Sequence, residues 1–314
     1  MSAWAFWNVM SHNKAIVFAY HTVGVQCLTA LLDAGFEVPL VVTHEDHPEE
    51  VIWFESVSQL CQARHIPYIT PTDFNSPELV KQIQNTAPDY LFSFYYRFMI
   101  PDQIISLAKI AALNMHGSLL PKYRGRVPVN WAVLHGETKT GATLHVMETK
   151  PDAGDIVSQK QVPIGPDDTA FMVFNQVAQA AVDVLNEVLP ELRNGNFPRR
   201  PNRLQEGSYF GARKPEDGRI DWQQPAAQVY NLFRAVAPPY PGAFTQIGPR
   251  QLVIAKAQLA SLPNTQTKLV PGLQIINQRI YGVCGDGRCL LVTSLQLAGQ
   301  EIRAKDLKIL LSQT

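Results

Sequence analysis

The chain has 314 residues, enough for one large domain or for two ordinary ones that each bury a core. Hydrophobic residues make up 46%, and 27 basic side chains offset 27 acidic ones to a formal net charge of zero. This is an ordinary globular composition with no global footprint for nucleic acid or an anionic membrane, although it leaves room for a local basic patch, and no apolar run approaches the ~20 residues of a membrane span.

The opening Met1-Ser-Ala-Trp-Ala-Phe-Trp7 is apolar, lacks a basic flank and is too short for a signal-peptide core, so a cytoplasmic protein is expected. Met10 is an equally good start, since the first recognisable strand begins at Lys14. Residues 15–20 read as a buried strand, 25–34 as a helix stopped by Gly35, and 38–42 as a second strand. Residues 53–64 read as a helix, 68–70 as a strand, 78–85 as a helix and 90–95 as a strand. A helix over 102–108 and a strand over 112–115 follow. This alternation predicts an α/β fold, a Rossmann-like parallel sheet with flanking helices and ligands beyond the C-terminal ends of its strands. The first turn, Tyr20-His21-Thr22-Val23-Gly24-Val25, holds one glycine, and no Walker A sequence occurs, which argues against a nicotinamide dehydrogenase.

Residues 169–192 read as a long helix. Residues 193–218 carry Gly195, Pro198, Pro201 and Pro215 with little periodicity, and read as a linker. Its arginines, Arg199, Arg200 and Arg203, read as solvated charges, with an anion-facing rim as the minority reading. A helix over 226–237 and five short strands, over 243–247, 251–260, 272–277, 282–284 and 290–296, suggest a small OB-like barrel. The expected division is a catalytic domain over 1–195, a linker over 196–218 and a β domain over 219–314. Cys27, Cys61, Cys284 and Cys289 are too scattered for a disulfide scaffold and read as buried, idle thiols, with no zinc-like spacing.

The chemistry concentrates in Asn114-Met-His116-Gly-Ser-Leu-Leu-Pro-Lys-Tyr-Arg-Gly-Arg126, straight after the apolar run 110–113. Two residues apart on an extended chain, Asn114 and His116 share a face. Together they make a poor core and a good pair for handling a carbonyl, one hydrogen-bond donor and one proton shuttle. A lone histidine at a strand end is more often structural; the asparagine partner and the glycine-containing loop after it reverse that preference. Asp152, bracketed by Pro151 and Gly154, reads alone as a turn residue or a cap. It matters only if the fold brings it near His116, where it would favour the charged imidazolium and orient the ring, with Asp155 as its rival. His44-Glu-Asp-His47 reads as a polar loop rather than a metal site.

These blocks resemble the signature of formyltransferases that use 10-formyltetrahydrofolate, together with Gly136-Glu-Thr-Lys-Thr-Gly141-Ala-Thr-Leu-His145, Asp152-Ala-Gly154-Asp-Ile, Tyr209-Phe-Gly-Ala-Arg213, Ile220-Asp-Trp222 and Pro241-Gly-Ala-Phe244. The resemblance runs from about Lys14 to Val292. Val17-Phe-Ala-Tyr-His21, Phe92-Ser-Phe-Tyr-Tyr-Arg97, Lys122-Tyr-Arg-Gly-Arg126 and Val129-Asn-Trp131 are similar to the branch found as one half of bifunctional polymyxin-resistance proteins, which formylates UDP-4-amino-4-deoxy-L-arabinose. Methionyl-tRNA formyltransferases share the central block but usually continue Arg-Gly-Ala-Ala-Pro, where this chain has Arg124-Gly-Arg-Val-Pro128. The second, glycine-rich domain of the bifunctional proteins has no counterpart here, so the resemblance is to a stand-alone transformylase.

The resemblance implies a catalytic triad of Asn114, His116 and Asp152. It implies a folate lining of Phe98, Met99, Ile100, Arg126, Glu148, Thr149, Lys150, Pro151 and Asp152, with Phe98 standing where the sugar branch has a histidine. Lys122, Arg124 or the linker arginines would hold the diphosphate of a nucleotide sugar. The expected reaction moves a formyl group to the 4-amine of a nucleotide-linked sugar, with lipid A modification as its setting. Asn114 and His116 would donate to the oxyanion, and His116, or Asp152 through water, would take the amine proton. No metal, membrane or tRNA partner is expected, and an oligomer is left open. The alternatives are formylation of methionyl-tRNA, formylation of another nucleotide-linked 4-amino sugar, hydrolysis of 10-formyltetrahydrofolate, and a folate-binding module without turnover.

Overall fold

A computed structural model of the protein describes residues 13–48, 50–73, 75–263 and 269–313. The apolar opening segment and the alternative start at Met10 lie outside them. The chain forms two compact units. The first takes the chain through Gly125, then Gly141–Val162 and Gln176–Tyr209; the second takes Arg126–Thr140, Pro163–Asn175 and Phe210–Thr314. The expected linker is thus shared, its residues through Tyr209 lying with the first unit.

In chain order the first unit begins β1 (Lys14–Ala19), α1 (His21–Asp33), β2 (Glu37–Val42), α2 (Val57–Ala63), β3 (Tyr68–Ile69), α3 (Pro77–Thr86), β4 (Tyr90–Phe94), α4 (Asp102–Ile105), β5 (Ala111–His116) and the two-residue β6 (Arg124–Gly125). After α5 (Pro128–Leu134) come β7 (Lys139–Val146), β8 (Ile156–Pro163), α6 (Ala170–Arg193) and β9 (Tyr209–Phe210). The seven-stranded sheet runs β3-β2-β1-β4-β5-β7-β8. Strands β1 to β5 pair in parallel, and β7 then pairs antiparallel to β5.

The parallel strands are apolar on both faces because helices cover both. On one side Ile16, Phe18, Leu40, Val42 and Leu91 bury against Leu79 and Ile83 of α3 and Ile104 of α4. Each such side chain contributes about 1.5–3 kcal/mol when fully buried. Phe92 stacks on Phe94 at 5.5 Å, and the Tyr90 hydroxyl donates to Leu192 O of α6 at 2.7 Å. Ser76 caps α3 by accepting from Leu79 N at 3.2 Å, with Pro77 in the first turn.

Several expected bounds move. The helix read from Trp53 begins only at Val57, because Phe54 stacks on His21 at 4.0 Å and Ser56 takes the cap. The helix at 102–108 stops at Ile105. Helix α5 and strand β7 are additions, and β7 makes the expected parallel sheet a mixed one. The segment after α6 is not free of the sheet: Ile156 and Arg200 exchange two backbone hydrogen bonds at 2.9 Å.

The second unit holds α5, α7 (Ala226–Val236), β10 (Ala243–Ile247), β11 (Arg250–Ala260), β12 (Gly272–Ile276), β13 (Arg279–Val283), β14 (Cys289–Leu297), β15 (Gln300–Ile302) and α8 (Ala304–Ser312). Its antiparallel, barrel-like sheet runs β10-β11-β14-β13-β12, with β15 on β14. Residues between Cys284 and Cys289 turn the chain from β13 into its antiparallel partner β14. All four cysteines are free and buried. No helix among the described residues is long and apolar enough to cross a membrane.

Candidate active site

Strand β5 carries Asn114 and His116 to its C-terminal end on one face. Antiparallel pairing sets His145 of β7 directly opposite Asn114, and Thr143 opposite His116. Asn114 Nδ2 lies 3.0 Å from His145 Nε2 and donates to Asp152 Oδ1 at 3.4 Å. The same carboxylate oxygen lies 3.5 Å from His116 Nδ1 and 3.4 Å from His145 Nε2. Three side chains from two strands, Asn114 and His116 of β5 and His145 of β7, therefore converge on Asp152 Oδ1. The fold brings Asp152, rather than Asp155, to the histidines; Asp155 uses its carbonyl to accept from Val146 N at 2.9 Å.

The Asp152 loop is held from both sides. Gly125 N donates to Oδ2 at 2.8 Å, and Asn202 Nδ2 donates to the carbonyls of Asp152 and Gly154 at 3.0 and 3.2 Å. Asp152 itself adopts the left-handed region with φ 49°, which a short polar residue tolerates. Tyr123, at φ 56°, is bulky, and a bulky residue in that region stores strain. Its carbonyl thereby reaches His116 Nε2 at 2.8 Å, so Nε2 carries a proton and donates. A buried polar clamp fixes the intervening loop. Thr143 Oγ1 donates to Ser118 O at 2.6 Å and accepts from Leu120 N and Gln159 Nε2 at 3.2 and 2.8 Å.

Burial opposes the charge on Asp152, but the neighbouring His116 and the Gly125 amide help to outweigh it, and the carboxyl is held well below the usual carboxylate range. The resting site therefore holds a carboxylate, 12% exposed, between histidines 6% and 2% exposed. That anion can hold a ring, receive a proton or steer water. A donor amide beside it suits the negative charge that develops on a carbonyl oxygen under attack.

The expected folate lining divides. Phe98 and Met99 are exposed at 53% and 56%, an apolar surface able to take a flat heterocycle, while Ile100 is buried in the core. Thr149 Oγ1 donates to Asp102 Oδ2 at 2.8 Å, which ties the loop of exposed Glu148, Thr149 and Lys150 and half-buried Pro151 to the chain just after Ile100. Arg126 is exposed and lies in the second unit, where its backbone N donates to Phe210 O at 2.9 Å. Lys122 is exposed. Arg124 is 8% exposed, with its guanidinium 5.9 Å from the Tyr209 ring. Of the linker arginines, Arg199 lies over Phe197 at 4.6 Å, Arg200 hydrogen-bonds Gln159, and Arg203 pairs with Glu206 at 3.4 Å.

In the His44–His47 loop only His44 is half-buried, the next three residues being exposed. His44 stacks on Tyr96 at 4.1 Å and accepts from Arg97 N at 3.1 Å, and Asp46 accepts from Tyr20 at 2.6 Å. Among the described residues no group of three or more His, Cys, Asp or Glu side chains could hold a metal ion. Sequence reasoning quoted His145 without giving it a role. The signal was present: Thr143 and His145 are polar residues two apart in an apolar run, the same pattern as Asn114 and His116.

Residues 14–189 match the formyl transferase family, and residues 213–308 match its C-terminal domain. Among solved structures, an N-formyltransferase from Helicobacter canadensis in complex with folinic acid and dTDP-3-aminofucose is 19% identical, over 92% of this chain and 100% of that one, with a TM-score of 0.68. A 4-N formyltransferase from Francisella tularensis is 20% identical over 76% and 94%, with a TM-score of 0.61. HypX from Aquifex aeolicus, in complex with tetrahydrofolic acid, is 18% identical over 95% of this chain and 47% of its own, with a TM-score of 0.63. At these identities the likeness is one of fold.

Proposed function

The chain belongs to the formyl transferase family, and on that footing we propose that it transfers the formyl group of 10-formyltetrahydrofolate to the 4-amine of a nucleotide-linked amino sugar, UDP-4-amino-4-deoxy-L-arabinose first among them. The observation that carries the reading is the convergence of Asn114, His116 and His145 on the Asp152 carboxylate within 3.5 Å. The sugar acceptor rests on the residues around Lys122 and Arg126 that resemble the sugar branch. The Helicobacter protein's complex with dTDP-3-aminofucose, a nucleotide-linked amino sugar, and the 4-N formyltransferase activity of the Francisella protein are in keeping with it.

The bound donor supplies an activated formyl carbon. Phe98 and Met99 would cover its ring system, and Glu148, Thr149, Lys150 and Pro151 would edge it. Asn114 offers an N–H to the formyl oxygen as charge develops there. Asp152 and His116 form the route for the proton lost by the attacking amine: a proton reaching His116 Nδ1 meets Asp152 Oδ1, the Nε2 bond to Tyr123 keeps the ring in place, and the proton passes on to the folate nitrogen as its bond to the formyl carbon breaks and tetrahydrofolate leaves. Exposed Lys122 is better placed than buried Arg124 to meet a diphosphate from solvent.

The test is an acceptor panel of UDP- and dTDP-linked 4-amino sugars and methionyl-tRNA, each with 10-formyltetrahydrofolate, read by tetrahydrofolate release. Release with one or more sugars supports the reading. Release with methionyl-tRNA alone, or equal release with no acceptor, overturns it in favour of tRNA formylation or hydrolysis.

A further inference from the structure

We infer that His145 is a positioning residue that sets the orientation of the Asn114 amide; the inference rests on the formyl-transfer reading above. The ring's hydrogen-bond partners decide its tautomer. His145 Nδ1 lies 2.8 Å from the Val146 carbonyl, which only accepts, so Nδ1 carries the proton and donates. Nε2 of the neutral ring is then an acceptor, and it takes one hydrogen of Asn114 Nδ2 at 3.0 Å. The opposite tautomer would relieve the contact of the Nε2 lone pair with Asp152 Oδ1 at 3.4 Å, but would set the Nδ1 lone pair against the Val146 oxygen at 2.8 Å, the closer of the two repulsions, in a residue 2% exposed.

The amide can satisfy this arrangement in one way. Nδ2 has two hydrogens and meets two acceptors, His145 Nε2 at 3.0 Å and Asp152 Oδ1 at 3.4 Å. Rotated by 180°, the amide would aim its carbonyl oxygen at both, and at any charge developing on a formyl oxygen beside them. The bond to His145 is the shorter and commits the first hydrogen. The second, held only at 3.4 Å, is the one able to turn to the oxyanion when Asp152 and His116 take up the amine proton. His145 thus never touches the reacting atoms in this scheme; it acts through Asn114. Its register partner on β5 is Asn114, so the antiparallel entry of β7 is what places it.

The experiment is a double-mutant cycle in the full chain. His145→Leu removes the acceptor at similar volume and is expected to lower kcat about 10²-fold, the loss typical of one oxyanion donor, with KM for donor and acceptor nearly unchanged. His145→Gln keeps an acceptor of similar reach and is expected to restore most of that loss. Asn114→Ala combined with His145→Leu should be no slower than Asn114→Ala alone, since the histidine then has nothing left to orient. Losses that multiply would overturn the inference, as would a His145→Leu enzyme with unchanged kcat. Nitrogen NMR of the wild-type ring reads the tautomer without any turnover: a protonated Nδ1 and bare Nε2 are expected, and a protonated Nε2 overturns the inference. A wild type inactive on every acceptor would overturn the functional reading instead, and the ring nitrogens would still decide the tautomer.

Discussion

Gly154→Ala tests how tightly the Asp152 loop is built. A Cβ at Gly154 would sit 2.1 Å from Val146 O, 2.9 Å from the Val146 carbonyl carbon and 3.2 Å from Glu148 Cγ. Close-packed interiors leave no room for a 2.1 Å approach, so backbone must move by about 1 Å. Neither side can yield quietly. Val146 O anchors His145 Nδ1 at 2.8 Å, and the Gly154 carbonyl is held by Asn202 at 3.2 Å. A shift of about 1 Å breaks the 2.8 Å bond from Gly125 N to Asp152 or moves His145 off Asn114, and misplacement of that size costs about 10²-fold in turnover. Overpacking also destabilises by about 1–3 kcal/mol. Steady-state kinetics on the preferred acceptor, with urea unfolding alongside, reads both. An alanine enzyme within about threefold of wild-type kcat, unfolding at the wild-type midpoint, would refute the reasoning that the loop has no slack.

Asp152→Asn removes the anion that His116 and His145 face and should lower kcat by about 10²–10⁴-fold while the variant still unfolds cooperatively; a near wild-type rate would remove Asp152 from the proton route. Burial, with Arg97 nearby, pushes His21 down to about 3. The unfolded chain takes up that proton first, so stability falls as pH drops below about 6.5, by at most about 2 kcal/mol at pH 5. His21→Phe should lose less stability between pH 7 and pH 5 than wild type in urea titrations, and an equal loss contradicts the assignment. Burial raises the Cys27 thiol far above its ordinary range and pushes Cys61 up to about 11 and Cys284 up to about 12. A thiol reagent at pH 8 should therefore label the cysteines only as fast as the protein unfolds, whereas rapid labelling of the native protein would show an open thiol.

The parallel half of the sheet was legible because buried strands and their helices leave strong local patterns, as at residues 15–20 and 90–95. Asn114 and His116 were legible for a similar reason, being a polar pair at the end of an apolar strand. Asp152 was not, since nothing local ties a turn aspartate to a histidine 36 positions earlier, and resemblance supplied the link. The role of His145 depends on the register of β7 against β5, a non-local pairing in a strand that was not read at all. Helix α2 was read to start four residues too early because Trp53 and Phe54 fit a helical period, while the fold uses Phe54 as a stacking partner for His21. Arg124 looked like a surface ligand from its place in a loop, and only its 8% exposure shows it to be inside.

The central claim concerns where the formyl carbon goes. Enzyme, 10-formyltetrahydrofolate labelled with carbon-13 in the formyl group, and UDP-4-amino-4-deoxy-L-arabinose should yield a nucleotide sugar carrying the label as a formamide on its 4-nitrogen, read by mass spectrometry and NMR. Label found only in free formate, or only on methionyl-tRNA when both acceptors compete, would contradict the account.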